Sequence, residues 1–179
     1  MINIVSYAAI AVCVIMYILI NRSNYPVDAA VKYGALMPLR VKRGEYWRLL
    51  TAGFLHIQIW HLVMNMLSLY NLSSLELVFG HGLFAVILLA SIIGGNLLSF
   101  LLEGNDTTVT LGISGGLYGL LAGYLVYLFK LGLLADPSVR FSLLRVLGIN
   151  LLINFMPNVS RMGHAGGFLS GFVIAMFML

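Results

Sequence analysis

Charge is scarce in this chain: 9% of its 179 residues are Asp, Glu, Lys or Arg, against about 25% in soluble domains. So few charges cannot cover a water-facing surface, which excludes a soluble globular domain. Cysteine is nearly missing as well. Cys13 is the only one and lies inside an apolar stretch, so no intrachain disulfide and no thiolate metal site can form, and the residue is read as packing. No phosphate-cradling glycine loop follows a strand pattern, and no basic run is interleaved with aromatics. No nucleotide cofactor and no nucleic-acid partner is therefore expected. The first apolar segment, 4–20, lacks a basic leader and a small-residue cleavage pattern, and reads as an uncleaved span.

What is present is hydrophobicity, at 61% of residues and a mean hydropathy of +1.00. An integral membrane protein follows. Windows of about 19 residues predict spans near 4–20, 55–76, 83–102, 112–130, 140–156 and 162–179. The fold class expected is an all-α polytopic membrane protein of six transmembrane helices, one compact unit over 1–179, with a long first loop at 21–54 and no separate soluble domain. Two spans are less apolar than the rest. His56, His61, Asn65 and Asn71 lie in the second, and Arg145, Asn150 and Asn154 in the fifth; polar residues at membrane depth imply an interior-facing or water-lined position. Six of the ten basic residues fall between Arg22 and Arg48, where phospholipid head groups suffice as partners.

Counting crossings, the second, fourth and sixth spans enter from one side, so His61, Asn65, Ser114 and His164 lie in the first turns below a single surface. Glycines indicate which helices touch. Gly115, Gly119 and Gly123 recur every four residues on the fourth span, and Gly163, Gly167 and Gly171 on the sixth. Small residues at this spacing let helix backbones approach closely in lipid. Ser114 and His164 each neighbour the first glycine of a row, so a tight crossing brings a hydroxyl to an imidazole.

That pair proposes a nucleophile and its base. The free amides of a helix N-terminus at Ser114 suit an oxyanion, and His61 and Asn65, at i, i+4, share a face that adds side-chain donors. His56, roughly 140° round a helix from His61, is expected to point elsewhere in a structural role. Glu76 is at the far end of its span, and Glu103 and Asp106 sit in a short loop, which leaves a Ser–His dyad as the expectation. Tyr118, one turn after Ser114, is placed to hold the imidazole by packing. The histidines do not converge with carboxylate or cysteine, so no metal is expected.

Taken in order, Trp47-Arg48, His61-x-x-x-Asn65, Gly112-x-Ser114-Gly115 and His164-x-x-Gly167-x-x-x-Gly171 resemble the rhomboid family of intramembrane serine proteases over nearly the whole chain. The resemblance implies Ser114 as nucleophile, His164 as general base, and His61, Asn65 and the Ser114 amide as the oxyanion site, with Tyr118 packed on His164. It implies a six-helix fold whose shortened fourth helix starts beneath a water-filled cavity, a first loop partly in the outer leaflet, and a fifth span serving as lateral gate. Implied substrates are single-span membrane proteins, cut in or near the span after a small residue; membrane lipid is the other partner, and neither a cofactor nor an obligate protein partner is implied. A compact bacterial type in the plasma membrane is expected. Seven basic residues on the dyad side against three on the other would turn the site toward the cytoplasm. The resemblance implies a cytoplasmic N-terminus with the site facing outward, and this is preferred because a loop folded into the interface tests that rule poorly. Two other functions fit the composition: an inactive rhomboid-like protein that binds membrane helices, which would lack the serine or the histidine, and a small transporter, which would show inverted repeats and intramembrane carboxylates.

Overall fold

The computed structural model describes residues 2–155 and 159–179 and is helical throughout its regular elements. Among the described residues the α-helices follow in the order α1 (Ile4–Asn21), α2 (Pro26–Tyr33), α3 (Pro38–Lys42), α4 (Arg48–Thr51), α5 (Ile59–Leu72), α6 (Ser74–Leu102), α7 (Ser114–Lys130), α8 (Pro137–Ile153) and α9 (Arg161–Met178). The expected spans correspond to α1, α5, α6, α7, α8 and α9. Three differ in extent: α8 runs from Pro137 to Ile153 and not over 140–156, and α5 stops at Leu72, which leaves Glu76 in α6. Residues 55–58 are not helical, Gln58 being extended, so α5 begins at Ile59 and not at 55; at 1.5 Å per residue its 14 residues reach about 21 Å, short of a bilayer core. α6 begins at Ser74, well before the expected 83, because helix continues on both sides of a kink at Gly80, whose φ of 76° a side chain would resist. The last residue of the expected fifth span, Met156, lies outside the described residues. Among those residues, α1 and α6 are long and apolar enough to cross a membrane unaided.

The core forms where α1, α5, α6, α7 and α9 converge, with Cys13, Leu69, Phe84, Ile87, Leu120 and Ala175 buried. Polar anchoring at one end comes from Glu76. Its fully buried carboxylate accepts from the backbone amides of Val5 and Ser6 and from the Ser6 hydroxyl, filling acceptor positions for the orphan amides at the start of α1.

The first loop is folded, carrying α2, α3 and α4 and a 3-10 turn at Ala52–Phe54. Arg48 organises it. Only 3% exposed, it donates to the carbonyls of Val31 and Ala35 at 2.7 and 2.9 Å and to Glu45 at 2.7 Å. Hydrogen bonding to Arg48 first, and to Arg40 after it, holds the Glu45 carboxyl below the usual range. Trp47 is half exposed beneath the Arg48 guanidinium, and Tyr46 is 65% exposed, as an interfacial loop requires. Arg48→Ala orphans the buried Ala35 carbonyl, takes one of two donors from the Val31 carbonyl and leaves Glu45 without its closest cation, and a loss of about 2–3 kcal/mol is expected, read as a lower midpoint of thermal unfolding in detergent.

Candidate active site

The first loop positions the segment that leads into α7. Leu36 and Thr110 exchange backbone hydrogen bonds at 2.9–3.0 Å, and the Gly112 amide donates to Ala52. Gly112 adopts a φ of 121°, and a Cβ there would lie 2.9 Å from His61 Nε2 and 3.6 Å from Asn65 Nδ2. Only glycine fits both the dihedral and the space. The same contacts place the His61 and Asn65 side chains beside the backbone two residues before Ser114.

Ser114 is the first residue of α7, whose first backbone bonds run from Gly116 and Leu117 to the Ile113 carbonyl. The amides of Ser114 and Gly115 precede those bonds, which leaves them aimed out of the helix end.

His164 reaches Ser114 because three backbones nearly touch. A Cβ on Gly167 would collide with the Gly115 carbonyl, and one on Gly171 with the Gly119 carbonyl, so the expected rows on α7 and α9 do face each other. Gly123 is the exception: its neighbours are Ile87 and Phe79 of α6, because crossing helices diverge after two turns of contact. Gly163 lies against Gly95 and Gly115 together. α6 contributes its own small residues, Gly94 against Ser170 and Gly166, Gly95 against Gly163, and Ser91 against Gly115 and Gly119, a third contact strip in which Ser91, Gly95 and Ser99 recur every four residues.

The resulting contact is 2.8 Å between Ser114 Oγ and His164 Nε2. The imidazole is 5% exposed and stacked on Tyr118, with centroids 4.1 Å apart and planes 15° from parallel. Neither loop carboxylate hydrogen-bonds to the ring. Glu103 accepts from the Ser160 hydroxyl and the Arg161 amide, and Ser160 caps α9 by accepting from the Gly163 amide at 2.9 Å; Asp106 pairs with Lys42. The other ring nitrogen, Nδ1, lies 2.7 Å from Asn154 Oδ1. The expected dyad thus has a third polar neighbour. Its one signal in the sequence is an amide at membrane depth near the end of the fifth span.

His56 also departs from expectation. It is fully buried, its Nε2 is 3.0 Å from Asn65 Nδ2, and its ring meets that of His61 edge-on at 5.0 Å. The angular argument fails because His56 precedes α5, outside the helix. Among the described residues no group of three or more His, Cys, Asp or Glu could hold a metal.

An apolar helical chain with a hydroxyl and an imidazole joined at the starts of two touching helices is an integral membrane protein with a buried polar site. A family model described as the Rhomboid domain matches residues 43–179, and the chain belongs to the rhomboid family. It is 32% identical over 174 residues to Rhomboid protease GluP of Bacillus subtilis (strain 168), covering 95% of this chain and 34% of that protein. RHOMBOID-like protein 2 of Arabidopsis thaliana is 38% identical over 158 residues, 83% of this chain and 47% of the relative. RHOMBOID-like protein 5 of the same plant is 34% identical over 151 residues, 83% and 49%. The chain spans about half or less of the length of these relatives.

Proposed function

We propose that this protein is an intramembrane serine endopeptidase that cuts single-span membrane proteins in or near their spans. The observation that carries the reading is the 2.8 Å contact between Ser114 Oγ and His164 Nε2. His164 Nε2 takes the hydroxyl proton as Oγ attacks the scissile carbonyl carbon. The oxyanion forms beside the Ser114 amide and the His61 and Asn65 side chains, donors already fixed before charge develops. The imidazolium then passes its proton to the leaving amine, and water, deprotonated by the same nitrogen, releases the acyl group from Ser114. No step needs a metal or an organic cofactor.

Peptide bonds in a helix are shielded, so substrates with helix-weakening residues near a small residue are favoured. In this reading α1, α5, α6, α7, α8 and α9 make six crossings of one domain over 1–179, with the N-terminus cytoplasmic and the site opening outward in a bacterial plasma membrane. The short α7 is packed between α6 and α9, which offsets its limited length. Reconstituted protein is expected to release a fragment from a single-span substrate carrying alanine before a glycine-containing segment, with pretreatment by a fluorophosphonate stopping release. Intact substrate after prolonged incubation across a panel of such spans contradicts the proposal.

A further inference from the structure

Asn154 is joined to more than the imidazole. Its Nδ2 donates to the Tyr118 hydroxyl at 3.0 Å and to the Asn150 carbonyl at 3.1 Å, and the Tyr118 hydroxyl donates to that same carbonyl at 2.6 Å. A phenol has one proton. Because the Tyr118 proton is committed to the Asn150 carbonyl, its oxygen can only accept from Asn154, which turns the amide so that Nδ2 faces Tyr118 and Oδ1 faces His164. An amide oxygen cannot donate. Nδ1 of His164 must therefore carry the proton, and the lone pair is left on Nε2, toward Ser114. Donation then runs in one direction, from the Ser114 hydroxyl through His164, Asn154 and Tyr118 to the Asn150 carbonyl.

We infer that Asn154, oriented by the Tyr118 hydroxyl, is the positioning residue that fixes the tautomer and ring orientation of His164. This gives Tyr118 a second task beside stacking: the ring holds the imidazole plane and the hydroxyl sets the polarity of its neighbour. The inference rests on the serine-hydrolase reading above. It differs from a general packing role in a way that chemistry can separate. A carboxylate at position 154 has two equivalent oxygens, so either one accepts from Nδ1 and nothing is needed to orient it. The Tyr118 hydroxyl should matter when residue 154 is an amide and cease to matter when it is a carboxylate.

The experiment measures the rate of fluorophosphonate labelling of Ser114 in the full chain in detergent, with Ser114→Ala as the blank. Asn154→Ala is expected to slow labelling about 100-fold, less than loss of a charged orienting residue, and Asn154→Asp to remain within about threefold of the parent. Tyr118→Phe, which keeps the ring, is expected to cost about fivefold, one hydrogen bond's worth, and that cost should fall below about twofold in the Asn154→Asp background. Equal rates for the parent and a folded Asn154→Ala overturn the inference, as does an equal cost of Tyr118→Phe in both backgrounds. Should Asn154→Ala not fold, the comparison of backgrounds decides alone. A parent that is never labelled at Ser114 removes the serine-hydrolase reading and the inference with it. Labelling that is lost in Ser114→Ala but unaffected at position 154 removes the inference only.

Discussion

Ser114→Ala and His164→Ala are each expected to lower kcat for cleavage of a single-span substrate by about 10⁴-fold or more, and the double variant by no further factor. In the proposed function the two groups act in one proton transfer, so removing either removes the same event. Their 2.8 Å contact is what makes the losses non-additive. KM should change little if both side chains act in the chemical step and not in ground-state binding. Both variants should remain folded. Ser114 supplies no backbone capping bond, and the α7–α9 contact persists through Gly167 and Gly171. Near-equal losses in the two single variants, with the double no worse, would be read by substrate cleavage at matched protein concentration; independent losses that multiply would show that the two groups do not share a step.

Gly167→Ala carries the second large effect. Its new methyl group meets the backbone of Gly115, with the carbonyl carbon 2.7 Å and the Cα 2.8 Å away. A side chain could rotate aside, but backbone in a packed helix cannot, so α9 must move away from α7. His164 is one turn earlier on α9 and moves with it. A misplacement of about 1 Å is enough for about a 100-fold loss in kcat/KM, and overpacking should cost about 1–3 kcal/mol of stability. Gly123→Ala is the internal comparison. There a methyl group meets Ile87 and Phe79 at 3.4 Å, a fit those side chains accommodate, and activity should stay within about threefold of the parent. Equal tolerance at 167 and 123 would show that the close crossing is not what aligns the site.

These two expectations draw on features of unequal visibility in the sequence. The rows Gly115-x-x-x-Gly119 and Gly163-x-x-x-Gly167-x-x-x-Gly171 announce a close crossing because spacing by four fixes a helix face, and the structure brings these rows together. Gly123 fits the same spacing and packs elsewhere, since periodicity says which face a residue is on but not how far along a crossing contact extends. Gly95 of α6 stands in a row spaced by four whose other members are Ser91 and Ser99, so a pattern built on glycine alone passes over it. His56 escapes the same kind of argument for a related reason: a helical angle does not apply to residues 55–58, which precede the helix. Asn154 illustrates a deeper limit. Its polarity at membrane depth is legible, but the contact with His164 depends on where the turn after α8 delivers an amide, and no periodic pattern specifies a turn. The carboxylates mislead in the opposite sense. Glu103 stands close to the site in sequence order, yet its oxygens are taken by Ser160 and the start of α9, where they hold the helix that bears His164.

The most direct test of the central claim, that close packing of α7 and α9 activates one serine through one histidine, is to map the fluorophosphonate adduct by peptide mass spectrometry in the parent and in His164→Ala. An adduct on Ser114 is expected in the parent, with near-complete loss in the variant. An adduct on another residue, or equal modification of Ser114 in both proteins, would contradict it.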